Sequence, residues 1–593
     1  MSVPRREQID PVYRWNLSPL FPSMREWERG MTRVEELLPQ VEAFRGRLEE
    51  SAITLCAAFE YKDRIEKSLQ AVYYYARMRS AEDLTDDVWR GCVDRASSLA
   101  AEVLTAVSFV KPEILSMSPG SLETFFDQHE PLRLYRKTVE RIMRLKAHVQ
   151  EPAIERMLAG VAPWAEVGTS GHSLLLYADL TFEPVTDAEG REHPVNEFSF
   201  RRLLESADRQ LRQRACHSLL GTYHGVKHTL SELFKANVKK QAFYSQVRGY
   251  SSCLERALDL DEIPQPVYET MLQGVHEGIE ALHEYLELRK SQLGLEKLEY
   301  CDLYVPLVKD VAFSFSYQEA QDLILAAMAP LGEDYVRNIQ RCFDERWIDV
   351  YPNAGKSGGA RTYSVYSSNP FVLLNYNGQL DDLFTLAHEL GHAMHFVYTN
   401  AAQPYVYSNV SAFVGEVAAM VHEHLLLHYL QATIRDESQT KVLLQHELEL
   451  GRGLFFRQAM LAEFESRMYE LHQTESLSVE QMCTEYGHLH NRYYGPSFQV
   501  DEWVKIEWAR IPQLFKSFYV YKYVTGYTAA VVLAEHVLMG GSEASGRFLR
   551  LLSDGNRTDP IDQLQLAGVD LLSVAPYRKA IQLFRKSLEQ LLS

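Results

Sequence analysis

The 593-residue sequence lacks the long apolar runs and the paired cysteines that mark two large classes of protein. No stretch approaches the roughly 18 apolar residues of a membrane-spanning helix, and the first residues carry charges where a signal peptide has an apolar core. The seven cysteines are odd in number and never spaced as Cys-x-x-Cys, which is typical of reduced, buried thiols rather than of disulfides. These absences predict a cytoplasmic protein without a membrane partner.

An excess of positive charge is also missing, because 61 Lys and Arg residues stand against 80 Asp and Glu residues. A protein that binds nucleic acid needs a basic face to release counterions from the phosphates. The formal net charge of -19 therefore argues against a nucleic-acid partner, and solubility explains it. Hydrophobic residues make up 46% of the chain, which is ordinary for a globular protein and sufficient for a large core.

Apolar spacing predicts a mainly α-helical chain. A heptad-like pattern from residue 31 to about residue 158 predicts a domain of antiparallel helical hairpins. Further long helices are expected at about 206–245 and 266–291, with a shorter one at 317–328. No internal repeat or low-complexity linker interrupts the sequence, so we expect one continuous body.

Short strands are expected at four places. An apolar run at 173–184 predicts a small β-element that ends in a polar turn, and 300–304 is a candidate strand. Residues 362–366 and 370–374 follow a glycine-rich loop and alternate or run apolar, which predicts a hairpin or short sheet. A strand of this kind can offer its free edge to an extended peptide, because backbone pairing tolerates any side-chain sequence.

The segment 380–396 directly follows these strands and contains the motif His388-Glu389-x-x-His392. On a helix, residues four apart share one face, so both imidazoles can bind one ion while Glu389 holds its water as general base. The alternative is a surface turn with two solvated histidines. Apolar residues on nearly every side favour burial, and buried histidines need partners. The motif therefore predicts a zinc site.

A catalytic zinc needs a third protein ligand. One subclass supplies a third histidine, but here His395 and Tyr398 occupy the positions of its glycine and histidine, which excludes it. We expect Glu416, on the apolar segment 413–423, to be the third ligand, although the helix macrodipole also favours a glutamate near an N-terminus. Glu423 either accepts the N–H of a ligand histidine or is an ordinary surface residue.

The segment from Leu373 to His395 resembles bacterial oligoendopeptidase F, of the thimet-oligopeptidase-like zinc peptidases. The resemblance covers nearly the whole chain and extends to 13–17, 347–351, 413–423 and 519–523. It implies a large helical ellipsoid with a deep substrate channel, one zinc ion on the channel floor, and a small β-element next to the zinc-binding helix. It also implies short unfolded peptides as substrates. We place an approximate boundary between an N-terminal helical domain, 1–195, and a catalytic domain, 196–593.

The resemblance also implies roles for individual residues. By position, the zinc ligands match His388, His392 and Glu416. Glu389 matches the catalytic glutamate. The family places tyrosines near the zinc to stabilise the oxyanion; Tyr519 is the better match and Tyr523 the second, with core packing as the alternative role.

One motif departs from the family. Relatives usually read His-Phe-Tyr before the tyrosine-rich segment, whereas this chain has Gln513-Leu514-Phe515. Gln513 can still donate a hydrogen bond to a substrate carbonyl but cannot become cationic, and Phe515 has no hydroxyl. We therefore consider three functions: a zinc-dependent endopeptidase for short peptides, a weakly active or inactive relative that binds peptides, and a protease for intact proteins such as casein.

Overall fold

We describe the fold from a computed structural model, which covers residues 3–308, 311 and 313–593. Within these ranges the chain forms twenty-five α-helices and five short strands. The predicted mainly α fold class is therefore confirmed. No helix in the described ranges is both long enough and apolar enough to cross a membrane.

The helices and strands are numbered along the chain. The helices are α1 (Met24–Glu42), α2 (Ala52–Glu82), α3 (Asp87–Val107), α4 (Val110–Ser116), α5 (Pro119–Gln128), α6 (Arg136–Arg144), α7 (Pro152–Ala165), α8 (Val167–Leu174), α9 (Glu197–Leu204), α10 (Arg209–Gly225), α11 (Lys227–Val247), α12 (Cys253–Leu260), α13 (Gln265–His276), α14 (Ile279–Gln292), α15 (Tyr317–Ala327), α16 (Glu333–Asp344), α17 (Leu380–Ala402), α18 (Ala412–Thr433), α19 (Glu437–Leu450), α20 (Arg457–Thr474), α21 (Val479–Tyr494), α22 (Tyr521–Met539), α23 (Gly541–Asp554), α24 (Pro560–Ala567) and α25 (Ala575–Leu592). The strands are β1 (Val185–Thr186), β2 (Glu192–His193), β3 (Ile348–Asp349), β4 (Arg361–Tyr363) and β5 (Phe371–Leu373).

The chain folds into two compact units, each assembled from three separate segments. Unit 1 comprises residues 1–147, 313–432 and 533–568, and unit 2 comprises residues 148–312, 433–532 and 569–593. The domain boundary expected at 195/196 falls inside unit 2 and remains a prediction from sequence.

Unit 1 begins with three helices that pack on one another, as the spacing in 31–158 predicts. The hydroxyl of Ser51 accepts from the backbone of Thr54 and starts α2, and Asp86 caps α3 in the same way. The indole of Trp27 is fully buried and donates to the carbonyl of Val72 at 2.9 Å. The apolar faces of α1, α2 and α3 therefore form one hydrophobic core.

A three-stranded sheet of unit 1 lies in the order β3-β5-β4. The central strand β5 pairs parallel with β3 and antiparallel with β4. Phe371 and Leu373 of β5 belong to the same core as the first three helices, which anchors the sheet. The predicted short sheet ahead of residue 380 is confirmed, and β4 is its edge strand among the described residues.

Helix α17 of unit 1 contains the histidine motif. Its second half is fixed by α23, because the hydroxyl of Thr399 donates to the carbonyl of Leu552 at 2.7 Å. At its start, the carboxylate of Asp382 accepts from the backbone N–H groups of Asn377 and Gln379 at 3.0 and 2.9 Å. These bonds define where the helix begins.

The β-element expected at 173–184 in unit 2 is wrong, because no residue of that range lies in a strand. Helix α8 runs to Leu174 and continues as a π-helical turn to Asp179. The reason is tertiary: a Cβ at Gly168 would lie 2.8 Å from the carbonyl oxygen of Leu233, so this segment packs closely on α11. A short apolar run cannot distinguish a strand from a buried helix. Strands occur only on either side of the following turn, where β1 pairs with β2.

Three other expectations for unit 2 also need correction. Residues 300–304 form a 3₁₀ turn rather than a strand, because the buried carboxylate of Asp302 binds Arg212 at 2.7 Å. The helix expected at 206–245 is divided into α10 and α11, and the one at 266–291 into α13 and α14. At the second division, a Cβ on Gly278 would lie 2.5 Å from Ile581, so the break permits close packing.

Candidate active site

The two motif histidines lie on one face of α17, with their ring centroids 4.8 Å apart and their planes at 83°. Helix α18 brings Glu416 to the same place, where one carboxylate oxygen lies 3.8 Å from Nε2 of His388. One donor atom from each of His388, His392 and Glu416 lies within 4.8 Å of the others. The fold thus brings the three expected ligands together within unit 1.

Gly391, between the two histidines, permits this arrangement. A Cβ at this position would lie 2.6 Å from the Cα of Ala419 and 2.8 Å from the carbonyl oxygen of Ala418, so α17 and α18 approach backbone to backbone. Nδ1 of His422 on α18 lies 3.1 Å from the carbonyl oxygen of Ala387 on α17, which adds a polar contact. The close approach of the helices determines how near Glu416 comes to the histidines.

Glu423, two turns after Glu416, contacts the first histidine. Its carboxylate lies 2.5 Å from Nδ1 of His388, so Nε2 is the nitrogen that faces Glu416. Burial alone would lower the pKa of His388, but the hydrogen bond and charge of Glu423, with the charges of Glu389 and Glu416, raise it to about 9. The protein thus holds this imidazole in one orientation.

Glu389 is buried, with 6% of its surface exposed. Its Oε2 accepts a hydrogen bond from the hydroxyl of Thr362 on β4 at 2.7 Å. Burial raises the pKa of Glu389, while the charge of His388 and the hydrogen bond from Thr362 oppose that rise. The edge strand thereby orients the glutamate of the motif.

The electrostatics of the three clustered residues fit a cation. Burial raises the pKa of Glu416, and the charge of Glu423 adds to the rise although His388 opposes it. Burial and the charge of His388 hold the pKa of His392 well below its usual value. A cation among these groups would favour the ionised carboxylate and the neutral imidazole, which are the metal-binding forms. Two imidazoles and one carboxylate also match a known zinc donor set.

The backbone of Thr362 faces the open edge of β4. Its register partner on β5 is Val372, whose N–H donates toward the β3 side, to the carbonyl of Trp347 at 2.9 Å. Backbone groups in a strand alternate in direction, so Thr362 and Val372 form a non-hydrogen-bonded pair. The N–H and C=O of Thr362 therefore point away from β5.

The late tyrosines belong to unit 2. The rings of Tyr519 and Tyr523 contact edge to face, with centroids 5.5 Å apart. The ammonium groups of Lys516 and Lys522 lie 5.4 and 5.3 Å from the centroid of the Tyr519 ring. Directly before Tyr519, Phe518 has a positive φ of 53°, which is an uncommon conformation for a bulky residue.

Gln513 lies in a 3₁₀ turn of unit 2 that ends at Phe515. Phe515 is buried and stacks on the ring of His172, with centroids 3.7 Å apart. Phe515 therefore packs in the core of unit 2.

A second group of potential ligands lies in unit 2, formed by Glu299, Cys301 and Asp302. The carboxylate of Asp302 already binds Arg209 and Arg212, at 2.9 and 2.7 Å. This group is therefore accounted for as a buried ion pair.

Two residues of the site were not predicted from the sequence. Thr362 was expected only as a strand residue, and Gly391 only as one of the two unspecified positions of the motif. Both act through contacts with elements distant in sequence, β4 with α17 and α17 with α18. A threonine in a strand predicted between the glycine-rich loop and the motif was the available signal for Thr362.

Comparisons with known proteins identify the family of the chain. The family described as Peptidase family M3 matches residues 202–583, and the one described as Oligopeptidase F matches residues 113–182. The chain is 36% identical to oligopeptidase PepF of Bacillus subtilis over 591 residues, which is 100% of this chain and 88% of that protein.

Two solved structures are also similar. One, from Chlamydophila abortus, has a TM-score of 0.90 at 28% identity and covers 100% of this chain and 99% of its own. The other is oligoendopeptidase-F from Enterococcus faecium, with a TM-score of 0.75 at 30% identity, covering 96% of this chain and 98% of that chain. From the matched segments, the overall identity and the shared fold, we conclude that this chain is a peptidase of family M3, in its oligopeptidase F group.

Proposed function

We propose that the protein is a zinc-dependent endopeptidase that hydrolyses short, unfolded peptides. The convergence of His388, His392 and Glu416, with buried Glu389 beside them, carries the proposal. These three residues would hold one zinc ion per chain. When bound, zinc supplies Lewis acidity, which lowers the pKa of water toward about 7 and polarises a carbonyl.

Glu389 would act as the general base. Its raised pKa brings it nearer to the operating pH, where a base both accepts and returns a proton well. The Thr362 hydroxyl fixes one of its oxygens, so the other can take a proton from water and then pass it to the leaving amine. Glu423 would support the imidazole of His388 through Nδ1.

The edge of β4 would bind the substrate backbone. The outward N–H and C=O of Thr362 can pair with an extended peptide, and such pairing does not depend on side-chain identity. Because the same residue contacts Glu389, the peptide would be bound beside the base. This supports a peptidase with broad sequence tolerance.

Two roles rest on the family resemblance. Tyr519, with Tyr523 as second candidate, would donate a hydrogen bond to the oxyanion that develops in the transition state. Gln513 would donate from its amide to a substrate carbonyl. The deep channel that limits substrates to short peptides has the same basis.

A second candidate function is a weakly active or inactive relative that binds peptides. Gln513 and Phe515 favour it, because together they remove one cationic group and one hydroxyl that relatives carry. The complete set of expected ligands and the buried Glu389 favour the enzyme.

One experiment separates the two functions. The purified protein is incubated with quenched fluorescent peptides, with and without a chelator, and products are identified by mass spectrometry alongside metal analysis. We expect chelator-sensitive cleavage of short peptides and no degradation of casein. Glu389→Gln should retain the metal and lose activity, whereas Glu416→Ala should lose metal. Undiminished activity of Glu389→Gln would overturn the proposal, and metal-loaded protein without cleavage would favour the peptide-binding function.

A further inference from the structure

A cavity of about 630 Å³ lies within unit 1, beside the candidate active site. Thr362, which contacts the general base, lines it, and so do Ser364 and Tyr366 beyond the end of β4. A second wall is formed by the residues of α2 that include Asp63, Glu66 and Gln70, and residues of α6 are among those that complete the lining. This volume is within the range of pockets that hold small ligands or several peptide atoms.

Asp63 is the acidic group of this wall without an ion-pair partner. Its carboxylate accepts a hydrogen bond from the hydroxyl of Tyr135 at 3.0 Å, and no Lys, Arg or His nitrogen of the described chain lies within 4.0 Å of it. Its neighbour Glu66, in contrast, binds Lys62 at 2.7 Å. Burial and the negative charges of Glu66 and Glu60 raise the pKa of Asp63 to about 6, although the hydrogen bond from Tyr135 and the charge of Lys62 oppose the rise.

The cations of the cavity have other partners. Lys62 binds Glu66, and Arg141 lies 3.7 Å from Asp559. Lys111 also lines the cavity and has an interaction of its own. Among the residues that the structure describes, Lys62, which binds Glu66, is thus the one cation that acts on both carboxylates, and the excess charge near Asp63 is negative.

The direction of β4 indicates which part of a peptide enters the cavity. Antiparallel pairing outnumbers parallel pairing in sheets. A peptide antiparallel to β4 has its N-terminal residues beside the end of the strand, at Ser364, where the cavity lies. The scissile bond lies nearer Thr362, which contacts Glu389. Residues upstream of the cleaved bond therefore reach the cavity.

From this geometry we infer that the cavity binds a cationic nitrogen of the upstream part of the substrate, with Asp63 as its counter-ion. The inference rests on the proposed peptidase function and adds to it a charge preference. The nitrogen is either the α-ammonium of the substrate or the side chain of an upstream lysine, because both present the same chemistry. If the α-ammonium is the bound nitrogen, the cavity would fix the distance between the N-terminus of the peptide and the bond that is cleaved.

Binding is measured in the Glu389→Gln background, so that peptides stay intact. The probes are peptides with a fluorophore on a C-terminal lysine side chain: one with a free N-terminus, its N-acetylated form, N-acetylated forms with one upstream lysine, and a C-terminal amide. Fluorescence anisotropy gives the Kd of each. Asp63→Asn removes the charge but keeps an oxygen that can accept from Tyr135, so the fold should persist.

We expect N-acetylation of the peptide to weaken binding about tenfold. Asp63→Asn should weaken binding of the free peptide by a similar factor and leave the Kd of the acetylated peptide unchanged. The loss on acetylation would show that the α-ammonium is bound. Recovery of affinity by an upstream lysine would show that the cavity also accepts the side chain, and failure of every such peptide to recover it would show that only the α-ammonium is accepted. Asp94→Asn, an equal change of charge at an exposed position outside the cavity, should alter neither Kd.

Three results would overturn the inference: an equal effect of Asp63→Asn on free and acetylated peptides, a response to C-terminal amidation alone, or no binding of any probe. The wild-type cleavage assay keeps the two hypotheses apart. Charge-dependent binding without cleavage would contradict the proposed enzyme and leave the cavity assignment intact. Cleavage without charge dependence would contradict only the cavity assignment.

Discussion

The hydroxyl of Thr362 lies 2.7 Å from Oε2 of Glu389 and 3.0 Å from the backbone oxygen of the same residue. One strand side chain thus contacts both the carboxylate and the helix that carries it. Because a hydrogen bond to a carboxylate stabilises its ionised form, Thr362 opposes the rise in the pKa of Glu389 that burial causes.

Thr362→Val removes this donor and should raise the pKa of Glu389. A base works only when ionised, so the acidic limb of the profile of kcat/KM against pH should move to higher pH. We expect kcat at neutral pH to fall about tenfold with metal content unchanged. Thr362→Ser keeps the hydroxyl and should restore the wild-type limb. An unshifted limb in Thr362→Val would show that the hydrogen bond has no catalytic effect.

Gly391→Ala tests the close approach of α17 and α18. The added Cβ would lie 2.6 Å from the Cα of Ala419, so backbone atoms must move. We expect a loss of about 1–3 kcal/mol in the free energy of unfolding, together with weaker zinc binding. Urea denaturation and zinc titration measure the two effects.

Gly160→Ala is the matched control, because a Cβ on this glycine of α7 meets no heavy atom within 4 Å. It should leave stability unchanged or raise it by up to about 1 kcal/mol. Equal behaviour of the two variants would show that the helices can separate without cost to the site.

Tyr519→Phe tests the proposed donor to the oxyanion. It removes one hydroxyl and keeps the ring, which the ammonium groups of Lys516 and Lys522 contact. We expect kcat to fall roughly a hundredfold with little change in KM, since the hydrogen bond strengthens only in the transition state. Steady-state kinetics on one peptide gives both constants. A larger loss in Tyr523→Phe than in Tyr519→Phe would reverse the assignment of the two tyrosines.

Because of Glu465 in unit 2, we expect the free energy of unfolding to depend on pH. Its carboxylate accepts from the backbone N–H of Phe518 at 2.6 Å, and burial raises its pKa from 4.5 to about 8 although that hydrogen bond opposes the rise. The folded chain therefore binds this proton more tightly than the unfolded chain. Its contribution to stability is present below pH 4.5 and is lost as the pH rises toward 8.

Glu465→Gln should remove this pH dependence while its carbonyl still accepts from Phe518. We expect the variant to match the wild type in stability near pH 4.5 and to exceed it by at least about 1 kcal/mol at pH 8.5. Thermal unfolding at a series of pH values measures the difference. Parallel curves for the two proteins would contradict the assignment of a buried, protonated Glu465.

The three residues of the cluster could be identified from the sequence because the signal for each is local. The spacing of His388 and His392 follows from the helical repeat, and Glu416 lies early in a helix whose other residues are apolar. The roles of these residues, and of Tyr519, Tyr523, Gln513 and Glu423, stay predictions that the proposed experiments test.

Sequence patterns failed where tertiary contacts decide the conformation. Residues 173–184 and 300–304 are apolar runs too short to show a period, and packing on α11 or binding to Arg212 determines their structure. The contacts of Thr362 and Gly391 join elements far apart in the chain. No local pattern records such a contact, so only the fold reveals their part in the site.

The division of unit 1 into three chain segments affects when the site can form during synthesis. Helix α17, which carries both histidines, packs on α23 through Thr399 and Leu552, and the last segment of the unit ends at residue 568. A ribosome must therefore complete nearly the whole chain before α17 has its native neighbours. Zinc uptake should follow translation rather than accompany it, and shortened chains that end before α23 should bind the ion poorly even though they contain every ligand.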